Sequence, residues 1–234
     1  MTTAVVVRHG ETDWNHEGRM QGWAPVPLNE LGREQAVAAG EWLAERYDVD
    51  RAVASDLLRT RETAARLCEP LSFEPGGDHV EYTRAWRERD LGVYQGLTYA
   101  DMYDRFPEFG LGEAAARAAA ETPEGGESLL DLRDRVLEAW AELLDRAASD
   151  VSAGRVRASS DETEGDETVL VVTHGGPIHF LLGHVKGLDV RDAFLEHSMA
   201  NCGVTVLEHP PDAPVADTAE PVEVVRENAT AWAD

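Results

Sequence analysis

Residues 4–10 read AVVVRHG. Ala4 to Val7 make an apolar, mostly β-branched run with no polar alternation, the pattern of a strand buried on both faces. The run stops abruptly at Arg8, His9 and Gly10. Strands of this kind belong to mainly parallel sheets covered by helices on both faces. In such sheets the chemistry gathers beyond the carboxyl ends of the strands. One short segment therefore points both to an α/β fold and to the place where functional groups should be sought.

Working outward, a strand is expected over residues 3–8 and a long polar loop over 9–29. A loop of that length inside a compact domain is usually functional. Asn29 has the character of an N-cap, and Leu31, Val37, Gly40, Leu43, Ala44 and Tyr47 are expected to share the buried face of the next helix. Arg51 to Ala54 reads as a second strand. Asp56 is expected to cap a helix running to Pro70. A third strand is expected near His79–Tyr82, then loop to residue 97. Thr98 and Asp101 suggest a short capped helix that ends before Pro107, and 113–120 is expected to be helical. Ser128 opens an amphipathic helix with Leu129, Leu132, Val136, Trp140, Leu143 and Ala147 on one face. Residues 149–167 are polar and acidic and read as a mobile insertion. Thr168–Thr173 resumes as a buried strand, Pro177 suits the first turn of a helix, and Val204–Leu207 and Val222–Val225 read as two further strands. The whole of residues 1–234 is expected to form one domain, a three-layer α/β/α sandwich with a mainly parallel central sheet.

Acidic residues outnumber basic ones 45 to 21, the formal net charge is -24, and the sole lysine is Lys186. Such a surface argues against nucleic acid, which rewards basic patches, and against anionic membranes. It suits a protein kept soluble in concentrated salt, where self-repulsion is screened. No stretch is apolar enough to span a bilayer and no secretory leader is visible, so a cytoplasmic location is expected. Cys68 and Cys202 form neither a disulfide framework nor a metal cluster, and no metal or cofactor is expected. Oligomeric state cannot be read from the chain.

Four segments follow strands and carry reactive groups: Arg8-His9-Gly10 with Asn15, Ser55 to Arg59, Trp86 to Gly92, and His174-Gly175-Gly176. If they converge, one pocket holds two guanidiniums, two imidazoles and Glu88. Guanidinium forks match phosphate oxygens. A neutral imidazole can accept a phosphoryl group covalently. A carboxyl group can protonate the leaving oxygen and later activate water. Phosphoryl transfer needs mainly positioning and neutralised charge, which fixed cations can supply. His16, His79, His179, His184, His197 and His209 show no partner pattern and are expected to be structural or exposed.

RHGETDWN, residues 8–15, is similar to the opening signature of the histidine phosphatase superfamily, which includes cofactor-dependent phosphoglycerate mutases and broad-specificity phosphatases. The same order continues through Gln21-Gly22, Pro27-Leu28, Gly32 and Gln35-Ala36, then Ser55-Asp56-Leu57, Arg59 and Thr63-Ala64. It goes on through Arg87-Glu88, Gly92 and Gly96-Leu97-Thr98, and closes on Gly126-Glu127-Ser128 and Val171 to Gly176. The resemblance runs from about residue 4 to about residue 207 and implies a phosphoglycerate mutase-like fold. It implies His9 as nucleophile, Glu88 as acid and base, and Arg8, Arg59 and His174 as the grip on the phosphoryl group. Asn15, Gln21, Gly22 and the Gly175 amide would complete the phosphate cradle, and the partner would be a small phosphorylated metabolite. Trp86, Leu91, Tyr94 and Ala24-Pro25 depart from the family's usual residues, which bears on pocket shape rather than chemistry.

Three activities compete. A phosphatase is expected, because the lid, residues 98–127, is short where the family's mutases carry a longer, more basic one. A phosphoglycerate mutase is the nearest rival. A phosphoryl-binding module without turnover would need neither His9 nor Glu88, and both are present.

Overall fold

The computed structural model describes residues 1–71, 80–112, 115–152, 166–210 and 222–233. Six strands form one sheet: β1 (Thr2–Arg8), β2 (Arg51–Ser55), β3 (Val80–Thr83), β4 (Glu167–Thr173), β5 (Val204–His209) and β6 (Glu223–Ala229). Their spatial order is β3-β2-β4-β1-β5-β6. β1, β2, β3 and β4 pair in parallel, β5 runs antiparallel to β1, and β6 antiparallel to β5. The expected three-layer sandwich is what forms.

The unalternated apolar run has its cause in two cores. Ala4 and Val6 face one core with Val169 and Val171, while Val5 and Val7 face the other with Leu170 and Val172. The first core is closed by α6 (Leu129–Ser152) and α7 (Gly175–Lys186), through Leu132, Val136, Trp140 and Ile178. The second is closed by α2 (Glu30–Ala44) and α3 (Leu58–Cys68), through Ala36, Leu43, Ala64 and Leu67. Each large buried side chain of this kind contributes about 1.5–3 kcal/mol by leaving water.

Asn29 does cap α2, its side chain accepting from the Gly32 amide. The buried face agrees with the expected one at Gly40 and Leu43 and differs elsewhere. Leu31 is 48% and Val37 39% exposed, whereas Gly32, Ala36, Ala39, Gly40, Trp42 and Leu43 are buried. Backbone proximity explains it: a Cβ on Gly40 would sit 2.9 Å from the Leu67 carbonyl, so α2 and α3 meet through small residues. Larger side chains on that face would force the helices apart.

Asp56 does not cap α3. Leu57 occupies the N-cap position without a side-chain bond, and Asp56 instead pairs with Arg87. The loop 9–29 contains a short helix, α1 (Asp13–His16), capped reciprocally by Thr12 and Asn15. α4 (Tyr99–Arg105) is capped by Thr98 as expected, and α5 (Ala115–Ala120) occupies the alanine tract. A final short helix, α8 (Val190–Leu195), precedes β5.

Both ends of segment 149–167 are regular structure: α6 continues to Ser152 and β4 begins at Glu167, which is buried and 2.7 Å from Arg51 Nε. The rest of that segment lies outside the described residues, as does His79 at the start of the third expected strand.

Candidate active site

The sheet register builds the centre of the site. Arg8 on β1 is opposite Thr173 on the adjacent parallel strand β4. The next residue of each strand is a histidine, so His9 and His174 emerge at one level, with ring centroids 5.2 Å apart and edge to face. His9 N donates to Thr173 O at 2.9 Å, extending the ladder past the strand end. A cation beside an imidazole at the end of β1 is therefore placed by two adjacent buried strands.

Each imidazole is held in a defined tautomer. His9 Nδ1 is 2.8 Å from Gly10 O, a contact it can make only as a donor, which leaves Nε2 with its lone pair. Arg59 Nε donates to that Nε2 at 3.2 Å. His174 Nε2 lies 2.9 Å from Ser55 Oγ, and Ser55 Oγ already accepts from Leu57 N. The serine hydroxyl is thus free to donate to Nε2, placing the ring proton of His174 on Nδ1. That Nδ1 is buried without a protein partner among the described residues.

Arg59 comes from the first turn of α3 and is fully buried. Its Nη2 donates to Gly22 O at 2.8 Å and its Nη1 to Ala24 O at 3.3 Å. Burial lowers its pKa to about 10, which leaves it cationic at neutral pH. Arg8 donates through Nη1 to Met199 O, and its buried Nε has no partner among the described residues. Asn15 Oδ1 accepts from Thr12 N and Thr12 Oγ1 at 3.1 and 2.9 Å, so its amide N–H groups are left for the cavity it lines.

Glu88 is aimed by its surroundings. Its Oε1 accepts from Arg89 N at 2.8 Å and its Oε2 from Gly176 N at 3.1 Å. A Cβ on Gly176 would lie 2.2 Å from Glu88 Oε1, so a larger residue there would push the carboxylate out of this position. Gly10 is bare for a packing reason. A Cβ at Gly10 would meet Gly32 O at 2.3 Å, so its bareness serves packing against α2.

The loop that carries Glu88 is clamped by residues without a local sequence signal. Arg87 forms a bidentate pair with Asp56, at 2.5 and 2.7 Å. Trp23 Nε1 donates to Glu88 O at 2.7 Å. Arg135 reaches across from α6 to the carbonyls of Ala85, Arg87 and Glu88 at 2.8, 3.0 and 3.3 Å. Asp56 was legible as part of a motif, but its partner lies 31 positions away. Arg135 reads only as the polar side of an amphipathic helix.

A cavity of about 360 Å³ is lined by Arg8, His9, Asn15, Gln21, Gly22, Arg59, Glu88 and Gly175, among others. Every expected site residue is on its wall except His174, which stands edge-on behind His9. Gly175 and Gly176 open α7, so that helix directs its N-terminal amides and positive dipole end at the same space. Two histidines expected to be structural or exposed, His179 and His197, also line it.

Burial, reinforced by Arg59 and Arg8, drives the His9 pKa well below 6.5, and burial followed by Arg59, His9, Arg8 and Arg135 does the same to His174. Both rings are neutral at working pH, as a nucleophile requires. The unfolded chain protonates these histidines near their ordinary pKa and the folded chain does not. Stability is therefore full above that value and declines as pH falls below it, by at most about 1.4 kcal/mol per group per pH unit. The melting temperature should drop between about pH 7.5 and about pH 5.5, and the double variant His9→Gln/His174→Gln should show a shallower drop. Parallel pH profiles for the two proteins would refute this assignment of the protons.

A neutral imidazole inside permanent positive charge is suited to phosphoryl groups, so fold and site together define a phosphoryl-handling α/β enzyme. The model of the histidine phosphatase superfamily, branch 1, matches residues 4–220. The chain belongs to that family. It is 38% identical over 203 residues to glucosyl-3-phosphoglycerate phosphatase of Mycobacterium tuberculosis, covering 87% of this chain and 83% of that one. It is 32% identical over 226 residues to a 2,3-bisphosphoglycerate-dependent phosphoglycerate mutase of Gloeobacter violaceus, covering 94% and 92%. Among solved structures it is similar to a mycobacterial glucosyl-3-phosphoglycerate phosphatase in complex with VO3, with TM-score 0.67, 35% identity and coverage of 88% and 92%.

Proposed function

We propose that this chain, a phosphatase of the histidine phosphatase family, hydrolyses small phosphomonoesters through a phosphohistidine on His9 and without a metal. His9 Nε2 attacks phosphorus in line with the ester oxygen. The N–P bond forms as the P–O bond to the alcohol breaks, and the Glu88 carboxyl passes its proton to the departing oxygen. Glu88 then takes a proton from water, the water oxygen attacks phosphorus, and inorganic phosphate leaves with His9 neutral again. Arg8, Arg59, His174 Nδ1–H, Asn15, Gln21, the Gly175 amide and the Gly22 turn cradle the transferring oxygens. Gly10 O faces the Nδ1–H of His9, steadying positive charge on the ring as the bond to phosphorus forms.

One observation carries this reading: Arg8, which lines the cavity next to His9, keeps a buried Nε–H without a protein partner among the described residues. Folded proteins pair nearly all such atoms. That donor is left for an oxygen of an arriving phosphoryl group.

Glu88→Gln tests the acid role. It should slow hydrolysis of alkyl phosphates by about 100- to 10,000-fold. Hydrolysis of p-nitrophenyl phosphate should suffer less, because nitrophenolate leaves without a proton. Equal losses on both substrates would remove Glu88 from the role of acid.

The lid favours hydrolysis over mutase action. Arg105 lies over Phe106, and Arg117 is exposed beside Glu121, so neither lid arginine lines the cavity. The lid contributes Tyr99, Met102, Phe109 and Leu111 instead. Adding 3-phosphoglycerate with its bisphosphate primer should yield phosphate rather than 2-phosphoglycerate.

The charge of -24 supports operation in concentrated salt, where the Debye length falls to about 3 Å. The melting temperature should rise from dilute buffer to molar potassium chloride; a flat or falling profile would make the acidity unrelated to salt. Free, buried Cys68 and Cys202 are compatible with a reducing cytoplasm. No helix among the described residues is long and apolar enough to cross a membrane.

A further inference from the structure

His197 is the cavity group that the proposed reaction leaves unused. It lies between α8 and β5, is 8% exposed, and lines the cavity. Its Nδ1 is 2.6 Å from Glu227 Oε1 on β6, and Lys186 at the end of α7 bonds the other oxygen of that carboxylate. Burial alone would raise the Glu227 carboxyl, but the hydrogen bonds from Lys186 and His197 outweigh it and hold it below its ordinary value. An ionised carboxylate can only accept, so His197 Nδ1 carries the ring proton. The other ring nitrogen, Nε2, is buried without a protein partner among the described residues.

Resting on the reading of this cavity as a phosphomonoesterase site, we propose that His197 Nε2 forms a hydrogen bond with a hydroxyl of the substrate's alcohol portion. The site would thereby favour phosphate esters of polyols and sugars over those of plain aromatic alcohols. Geometry ties this group to the phosphoryl end. Arg8 donates to the carbonyl of Met199, two residues beyond His197, so the same short segment grips the phosphate anchor and carries His197. His179 extends the same wall. Its Nδ1 bonds Ala193 O at 3.0 Å, its ring stacks on Phe194 at 4.6 Å, and its Nε2 is left as an acceptor. Leu91, Met102, Phe109 and Leu111 supply apolar wall for the carbon skeleton. Glu227 touches no substrate in this arrangement; it is a positioning residue that holds the ring.

The test compares kcat/KM for glycerol 3-phosphate and p-nitrophenyl phosphate in the wild type, His197→Ala and Glu227→Ala. Using the ratio of the two substrates cancels their different intrinsic reactivity. His197→Ala should lower the ratio by about tenfold, mainly through KM for glycerol 3-phosphate. Glu227→Ala should lower it by a smaller factor, and it carries the test if the buried alanine variant does not fold. An unchanged ratio in the folded variants, or equal losses on both substrates, overturns the proposal. With 3-phosphoglycerate assayed as a third substrate, a loss confined to it also overturns the proposal, because that outcome belongs to a ring gripping a carboxylate. Calorimetric titration separates this inference from hydrolysis itself. In the His9→Ala background, where turnover is removed, the protein should bind glycerol 3-phosphate more tightly than inorganic phosphate, and adding His197→Ala should abolish that preference. Equal affinities in that background overturn the role of His197 even if the wild type hydrolyses, and a preference kept by a chain whose wild type is inert overturns only the hydrolysis.

Discussion

His9→Ala should abolish hydrolysis of every phosphomonoester, by about 10,000-fold or more, with the fold intact. The size of the effect follows from what the side chain does. Removing it takes away the atom that bonds to phosphorus, and no other neutral nitrogen occupies its place. His174 is 5.2 Å away between ring centroids, but its Nε2 is engaged by Ser55 and its proton sits on Nδ1. The measurement is rapid acid or alkaline quench with labelled substrate. The wild type should trap an acid-labile, alkali-stable phosphoryl group on the protein and the variant none. Hydrolysis that survives the substitution, or label that remains on the protein, would end the covalent mechanism.

Arg59→Ala ranks next, with an expected loss of about 1,000- to 100,000-fold in kcat. Arg59 is buried, cationic and 3.2 Å from the nucleophilic nitrogen before substrate binds. Its fork is already oriented by the Gly22 and Ala24 carbonyls, so little ordering is needed when phosphoryl oxygens arrive. Arg59→Lys should restore only a small part of the loss, since an ammonium keeps the charge but cannot bond two oxygens in one plane. A lysine variant with near wild-type kcat would show that charge alone is required. A second consequence follows from the same geometry. Arg59 opposes protonation of both His9 and His174, so its removal should move the acid limb of the pH–rate profile upward.

The reach of sequence reading is best judged residue by residue. The strand from Ala4 to Val7 was legible because burial on both faces leaves no polar alternation, and its end at Arg8 was legible because the pattern changes at one residue. α6 was legible through its apolar stripe. The buried face of α2 was legible at Gly40 and Leu43 only, because close approach of two helix backbones selects Ala36 and Ala39 over the larger Leu31 and Val37. Asp56 looked like a helix cap because a short acidic side chain before a helix commonly is one. Its actual partner, Arg87, is brought to it only by folding.

Residue chemistry by itself supplied the groups proposed to react. Imidazole at 9 and 174, guanidinium at 8 and 59 and carboxylate at 88 are covalent facts, and their place after strands follows from local pattern. Only the tertiary structure decided how they act. The register of β1 against β4 sets the two imidazoles side by side, and Arg135, Trp23 and Asp56 fix the loop of Glu88. Packing of α8 and β6 turned His197, a residue without any local signal, into part of the cavity wall. Tautomer, proton affinity and aim depend on which distant atoms stand within about 3 Å, and a linear chain does not specify those contacts until its apolar surfaces have been buried.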